Sequence, residues 1–146
     1  MECRRMDIAM MMTIFCNKNL YPLMRIRLPK TVKVNVKLDP GSKPLHIAPL
    51  IFVSLIENAF KHGISPTEDS FINISIQGHP DGKICCEIIN SHFPKNETDK
   101  SGSGIGLAQV QRRLELSYPN NYKWTKGVSA DGNTYISYIT IQTSEL

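Results

Sequence analysis

Six consecutive positions, Glu57 to His62, carry four side chains with chemical reach: a carboxylate at Glu57, an amide at Asn58, an ammonium at Lys61 and an imidazole at His62. At about 100° per residue they fall at roughly 0°, 100°, 40° and 140° on a helix wheel, so they share one arc from which Ala59 and Phe60 are excluded. Two readings are open. In the ordinary one, Glu57 and Lys61 form a weak i,i+4 pair, Asn58 is exposed, and His62 favours the C-terminal dipole. In the other, the groups serve a polyphosphate. Asn58 offers the hard oxygen that Mg²⁺ accepts beside phosphates and waters, Lys61 and His62 donate to phosphate oxygens, and Glu57 takes a proton from a nucleophile.

A second motif decides between them. In "SGSGIGLAQVQRRLEL", Ser101 to Leu116, three glycines at Gly102, Gly104 and Gly106 open a helix. Backbone N–H groups at a helix start, approached closely where there is no side chain, suit a phosphate. No Gly-Lys-Ser/Thr follows, so this is not a P-loop. The dinucleotide fingerprint fails as well, because Leu107 stands at its third glycine position and a long loop precedes it.

The elements that must position these groups follow from two periodicities. "VKVNVKL" from Val32 to Leu38 alternates apolar and polar, as does "FINISIQ", and Asp81-Gly82 then turns into "KICCEIINS". "YKWTKGV" and "TYISYITIQT", joined across "DGN" at 131–133, complete at least five strands. Pro49 starts a helix running to about His62, with Gly63 as its stop. A second helix runs from about Gly104 to Ser117, with Leu107, Val110 and Leu114 on one buried face and Pro119 ending it. Strands apolar on one face, with two helices to cover it, predict a two-layer α/β sandwich whose mixed, mostly antiparallel sheet is covered on one side. "HFPKNETDKSGSG" is the long polar loop between sheet and second helix.

Composition limits the function classes. The chain has 146 residues, 41% of them hydrophobic and 21% charged, with a net charge of +4; this describes one globular domain with a real core. The scattered lysines make no basic stripe, so no nucleic-acid partner is expected. Cys3, Cys16, Cys85 and Cys86 have no zinc spacing and are read as reduced thiols of an intracellular chain. Cys85 and Cys86, adjacent on a strand, should face opposite sides. The apolar run from Ile8 to Cys16 is too short to span a bilayer and lacks a signal-peptide cleavage site.

"IENAFKHG" resembles the N box, and "GSGIGL" the G2 box, of the catalytic ATP-binding domain of sensor histidine kinases in the GHKL superfamily. "IAPLIFVSLIENAFKHG" and "GIGLAQVQRRLELSYP" resemble the branch often paired with LytTR-type response regulators. The resemblance covers roughly Met24 to Leu146, leaving 1–23 as an N-terminal segment that stands where the end of a dimerisation helix is expected but lacks its pattern. It implies ATP and Mg²⁺ as cofactors, with Asn58 ligating the metal, Glu57 orienting or deprotonating the attacking group, and Lys61 and His62 lining the phosphate side. Gly102, Gly104, Ile105, Gly106 and Leu107 would bind nucleotide at the base of an ATP lid, "HFPKNETDKS". It also implies a cytoplasmic location and a downstream response regulator.

Two departures qualify the match. The superfamily's Asp-x-Gly-x-Gly box, whose aspartate accepts from the adenine amino group, is replaced by "IINSHFP". Asn90 shares a strand face with Ile84, Cys86 and Ile88, so it should point to the covered side and could accept the same bond as a neutral amide. The alternative is a strand-ending turn residue. Secondly, the histidines are His46, His62, His79 and His92. None has the setting of a phospho-accepting histidine on a dimerisation helix, and His46, His79 and His92 are read as solvated loop residues. The expected activity is therefore phosphoryl transfer from Mg-ATP to a histidine domain supplied in cis by a parent protein or in trans. The rivals are a free-standing GHKL serine kinase of the anti-sigma-factor type and a non-catalytic nucleotide-binding module.

Overall fold

The computed structural model of the chain describes residues 6–8, 31–42, 45–65, 67–93 and 103–143. In chain order these form β1 (Met6–Asp7), β2 (Val32–Asp39), β3 (His46–Ile47), α1 (Pro49–His62), β4 (Ser70–Gly78), β5 (Lys83–Ser91), α2 (Ser103–Ser117), β6 (Tyr122–Val128) and β7 (Thr134–Gln142). The five strands expected from alternation make one sheet in the order β2-β4-β5-β7-β6. Only β2 and β4 are parallel, with Val34 opposite Ile72 and Val36 opposite Ile74. The other pairings are antiparallel. A parallel pair needs a crossover, and α1, lying between β2 and β4, supplies it.

Alternation assigns the two faces of the sheet. On β4 and β5, Ile72, Ile74, Ile76, Ile84, Cys86 and Ile88 are buried under the helices, joined by Ile139 and Ile141 of β7. Lys33, Asn35, Lys37 and Glu87 point to the uncovered side. As expected, Cys86 is buried and Cys85, on the opposite face, is half-buried; both are free thiols. The hairpin at Asp81-Gly82 also forms, with Gly82 at φ +91°, a conformation that favours glycine.

The helices close the core. From α1, Ile51, Phe52, Leu55, Ile56 and Ala59 are buried; from α2, Val110 and Leu114, with Leu107 packed partly against them. Pro49 begins α1 without any side-chain cap from Ala48. Instead the Ala48 N–H donates to the hydroxyl of Tyr118, 3.0 Å away. Tyr118 follows the last residue of α2, so the end of one helix is tied to the start of the other, and the pair run in opposite senses. At the same end of the core, Met6–Asp7 pairs with His46–Ile47. Ile8, whose N–H donates to the Leu45 carbonyl at 2.7 Å, is fully buried.

Candidate functional site

Because α1 and α2 are antiparallel, the last turn of α1 and the first turn of α2 stand at the end of the helical layer away from Tyr118. The chain also reaches α2 from β5, and β5 ends beside α1: Ser91 Oγ donates to the carbonyl of Gly63, the residue after α1. The last turn of α1 and the first turn of α2 are thus at one end of the helical layer, and the end of β5 is bonded to the residue after α1. Gly104, Ile105, Gly106 and Leu107 lie in the first turns of α2. Gly102 and residues 94–101 of the expected lid lie outside the described residues.

On α1 the polar arc is at the surface. Glu57 and Lys61 are exposed, while Asn58 and His62 are half-buried and the neighbouring Ala59 is in the core. Among the described residues Glu57 and Lys61 form no ion pair. The same residues contain no group of three His, Cys, Asp or Glu able to hold a metal.

Asn90 is the innermost polar residue of the site, 5% exposed. It lies on the covered face with Ile84, Cys86 and Ile88, paired with Ile72 on β4 and Tyr135 on β7. Its Nδ2 donates to the Ser91 carbonyl at 2.9 Å. It is therefore a face-directed strand residue and not a turn residue. Gly63 explains how it fits. This glycine ends α1 as expected but has φ −93° and ψ 6°, which other residues also adopt, so conformational freedom is not its reason. A Cβ on Gly63 would lie 2.7 Å from the Ala59 carbonyl oxygen and 2.8 and 2.9 Å from Nδ2 and Cβ of Asn90. Gly63 is small because Asn90 occupies the space a side chain would need.

No family model matches the sequence, and no curated protein matches it in sequence. Solved structures match it in shape. The catalytic domain of histidine kinase ThkA superposes with a TM-score of 0.63 at 16% identity, covering 98% of this chain and 97% of that one. The mycobacterial sensor histidine kinase MprB gives a TM-score of 0.64 at 13% identity over 99% and 100% of the two chains. Full-length ShkA in complex with AMPPNP gives a TM-score of 0.67 at 12% identity, covering all of this chain (100%) and 32% of that one. The fold is that of a histidine kinase catalytic domain.

Within this histidine kinase fold several residues near the site escaped sequence reasoning. Ser91 is buried, and besides its bond to Gly63 its Oγ accepts the Phe71 N–H at 3.2 Å. A serine ending an apolar strand carries no periodic signal, so nothing in the sequence marks it. Beyond Tyr135 on the same covered face, Trp124 Nε1 donates to Ser137 Oγ at 2.9 Å, and Lys126 Nζ sits 3.7 Å above the Trp124 ring. The histidines expected in solvated loops are half-buried: His46 is part of β3, and His92 lies 6.4 Å from Tyr135, ring to ring. Burial raises the Tyr135 phenol above its ordinary pKa. No described helix is long and apolar enough to cross a membrane.

Proposed function

We propose that the chain binds Mg-ATP and directs its γ-phosphoryl to a histidine on a dimerisation domain, in cis or in trans, as the catalytic module of a two-component sensor kinase. The observation that carries this is the convergence of Asn58, Lys61, His62, Asn90 and the glycine-led start of α2 at one end of a histidine kinase catalytic fold. In this reading Asn58 holds one position on the metal, which neutralises charge on the phosphates. Lys61 and His62 donate to phosphate oxygens, Glu57 orients or deprotonates the attacking imidazole, and the amides at Gly104 and Gly106 face the phosphate chain. The motif resemblance assigns Gly102, Ile105 and Leu107 to nucleotide binding alongside them. Asn90 Oδ1 accepts from the adenine amino group. A cytoplasmic location and a downstream response regulator of LytTR type go with this role.

Calorimetry of ATP binding with and without Mg²⁺, on the chain and on Asn58→Ala, tests it. The expected result is binding that weakens by about tenfold or more both on removing Mg²⁺ and on the substitution. Phosphotransfer to an added dimerisation domain is then measured with labelled ATP. Absence of ATP binding refutes the proposal, and binding without transfer to any histidine domain makes the chain a nucleotide-binding module.

A further inference from the structure

The face of the sheet turned away from the helices is more than a wetted polar surface. Strand pairing sets its side chains in rows that run across the strands. One row holds Asn73, Ile89, Ile136 and Gly127 on β4, β5, β7 and β6, and the next holds Ser75, Glu87, Tyr138 and Thr125 in the same order. A third row runs from Gln77 on β4 to Lys123 on β6. Ile136 is 39% exposed and Tyr138 37%, and half-buried Ile89 stands beside Ile136. Gly127 leaves Ile136 bare on its other side, since a Cβ at Gly127 would meet nothing within 4 Å. Asn73 is steadied by Asn35, whose Nδ2 donates to its Oδ1 at 3.3 Å. Glu87 and Lys123 are exposed, and neither has an ion-pair partner among the described residues. Toward β2 the face opens into a hollow of about 550 Å³ bordered by Asn35, Lys37, Asn73 and Glu87.

We propose that this face docks onto the same face of a second copy of the chain. Sheets pack face to face about 10 Å apart with their strands within about 30° of each other. A two-fold axis running along the strands between β5 and β7 lays β5 on β7 of the second copy and β4 on β6, so four strands of the five overlap. Each row then falls on itself reversed. Ile89 meets Ile136 of the second copy, which covers the bare aliphatic patch, and Asn73 stands over the open space at Gly127. Glu87 meets Tyr138 of the second copy, whose hydroxyl can donate to the carboxylate. Lys123 of the second copy falls over Gln77, a diagonal neighbour of Glu87 within reach of a long side chain. The lone carboxylate and the lone ammonium therefore become partners only across two chains. Every contact occurs twice, as an isologous interface requires, and the hollow beside Asn73 leaves room for the edge strand β6 of the second copy. The overlap is about 19 Å by 23 Å, or about 440 Å² in plan, which is below the roughly 800 Å² per partner of a standard interface. The dimer is accordingly weak and reversible, and it forms most readily where two copies are held close together. The inference does not depend on the nucleotide reading, whose residues lie at the end of the helical layer on the opposite face.

The test is sedimentation equilibrium of the full chain without nucleotide, over concentrations from about 1 µM to about 1 mM. The expected result is a reversible monomer to dimer equilibrium with a dissociation constant of about 10–100 µM. Ile136→Asp, at an exposed position, should raise that constant by about tenfold or more while the circular dichroism spectrum stays that of the parent. Glu87→Lys and Lys123→Glu should each weaken the dimer by about threefold or more. An equimolar mixture of those two variants should associate about as tightly as the parent, because their altered charges meet opposite ones only across two copies. A chain that stays monomeric up to about 1 mM overturns the inference, whatever else covers the face. A dimer indifferent to Ile136→Asp uses another surface and overturns it as well. A mixture of the two charge variants that associates no better than either alone refutes the two-fold register, and with it the docking of this face on its copy.

Discussion

Replacing Gly63 by alanine tests whether the end of α1 was shaped by the site or merely by the helix. In an unobstructed position with negative φ, Gly→Ala stabilises a protein by about 0.4–1 kcal/mol, because the unfolded chain loses freedom. At Gly63 the new Cβ would sit 2.7 Å from the Ala59 carbonyl oxygen and under 3 Å from two atoms of Asn90. The first obstacle is backbone, and the second is a side chain enclosed by its own hydrogen bond, so neither yields cheaply. Overpacking of this kind costs about 1–3 kcal/mol. Gly127 in β6 is the control, since a Cβ there meets nothing within 4 Å. Urea unfolding followed by the fluorescence of Trp124, the chain's 1 tryptophan, reads both variants. With a denaturant slope of about 2 kcal/mol/M, Gly63→Ala should lower the midpoint by about 0.5–1.5 M, whereas Gly127→Ala should leave it unchanged or raise it slightly. A Gly63→Ala midpoint at or above that of the parent would refute the steric argument, and with it the enclosure of Asn90.

Other perturbations bear on the parts that support the site. Tyr118→Phe removes the acceptor for the Ala48 N–H, which lies in a residue only 2% exposed; an expected loss of about 1–3 kcal/mol would appear in the same urea assay. Burial, with Cys85 and Glu87 adding to it, pushes the Cys86 thiol up to about 12. Iodoacetamide at pH 8 should therefore leave Cys86 unmodified in the folded chain, as tandem mass spectrometry of the Cys85-Cys86 peptide would show. The Ser129 hydroxyl, helped by the Asn133 N–H, holds the Asp131 carboxyl below its ordinary value. A lowered folded-state value stabilises the protein above the unfolded carboxylate range and ceases to do so as pH falls through the folded value. The stability gap between the parent and Asp131→Ala should therefore narrow on acidification below the ordinary aspartate range, measured by thermal unfolding across pH.

Much of the fold was legible because it is repetitive. Val32 to Leu38, Ile72 to Ile76 and Ile84 to Ile88 alternate so regularly that their buried face could be read from residue type alone, and Pro49 and Gly63 bracket α1. The polar arc of α1 and the glycines of α2 were legible for the same reason, since each is a local pattern. What the sequence did not show is non-local. Ser91 matters because Gly63 and Phe71 converge on it. Tyr118 matters because it meets Ala48 from 70 positions away. The two-residue ribbon of β1 and β3 is too short for any period to register. Even at Gly63 the expected outcome, a helix stop, was right while its usual cause, a left-handed backbone, was absent.

The burial of Ile8 changes what counts as the smallest folded unit. The motif resemblance begins near Met24, yet this side chain sits in the core with Leu45, Ile47 and Phe52. A shortened chain starting at the motif boundary would leave a void the size of an isoleucine side chain beneath the start of α1. Such voids typically destabilise by about 2–5 kcal/mol. That is enough to make a trimmed version fail in solution even with every residue of the candidate site in place.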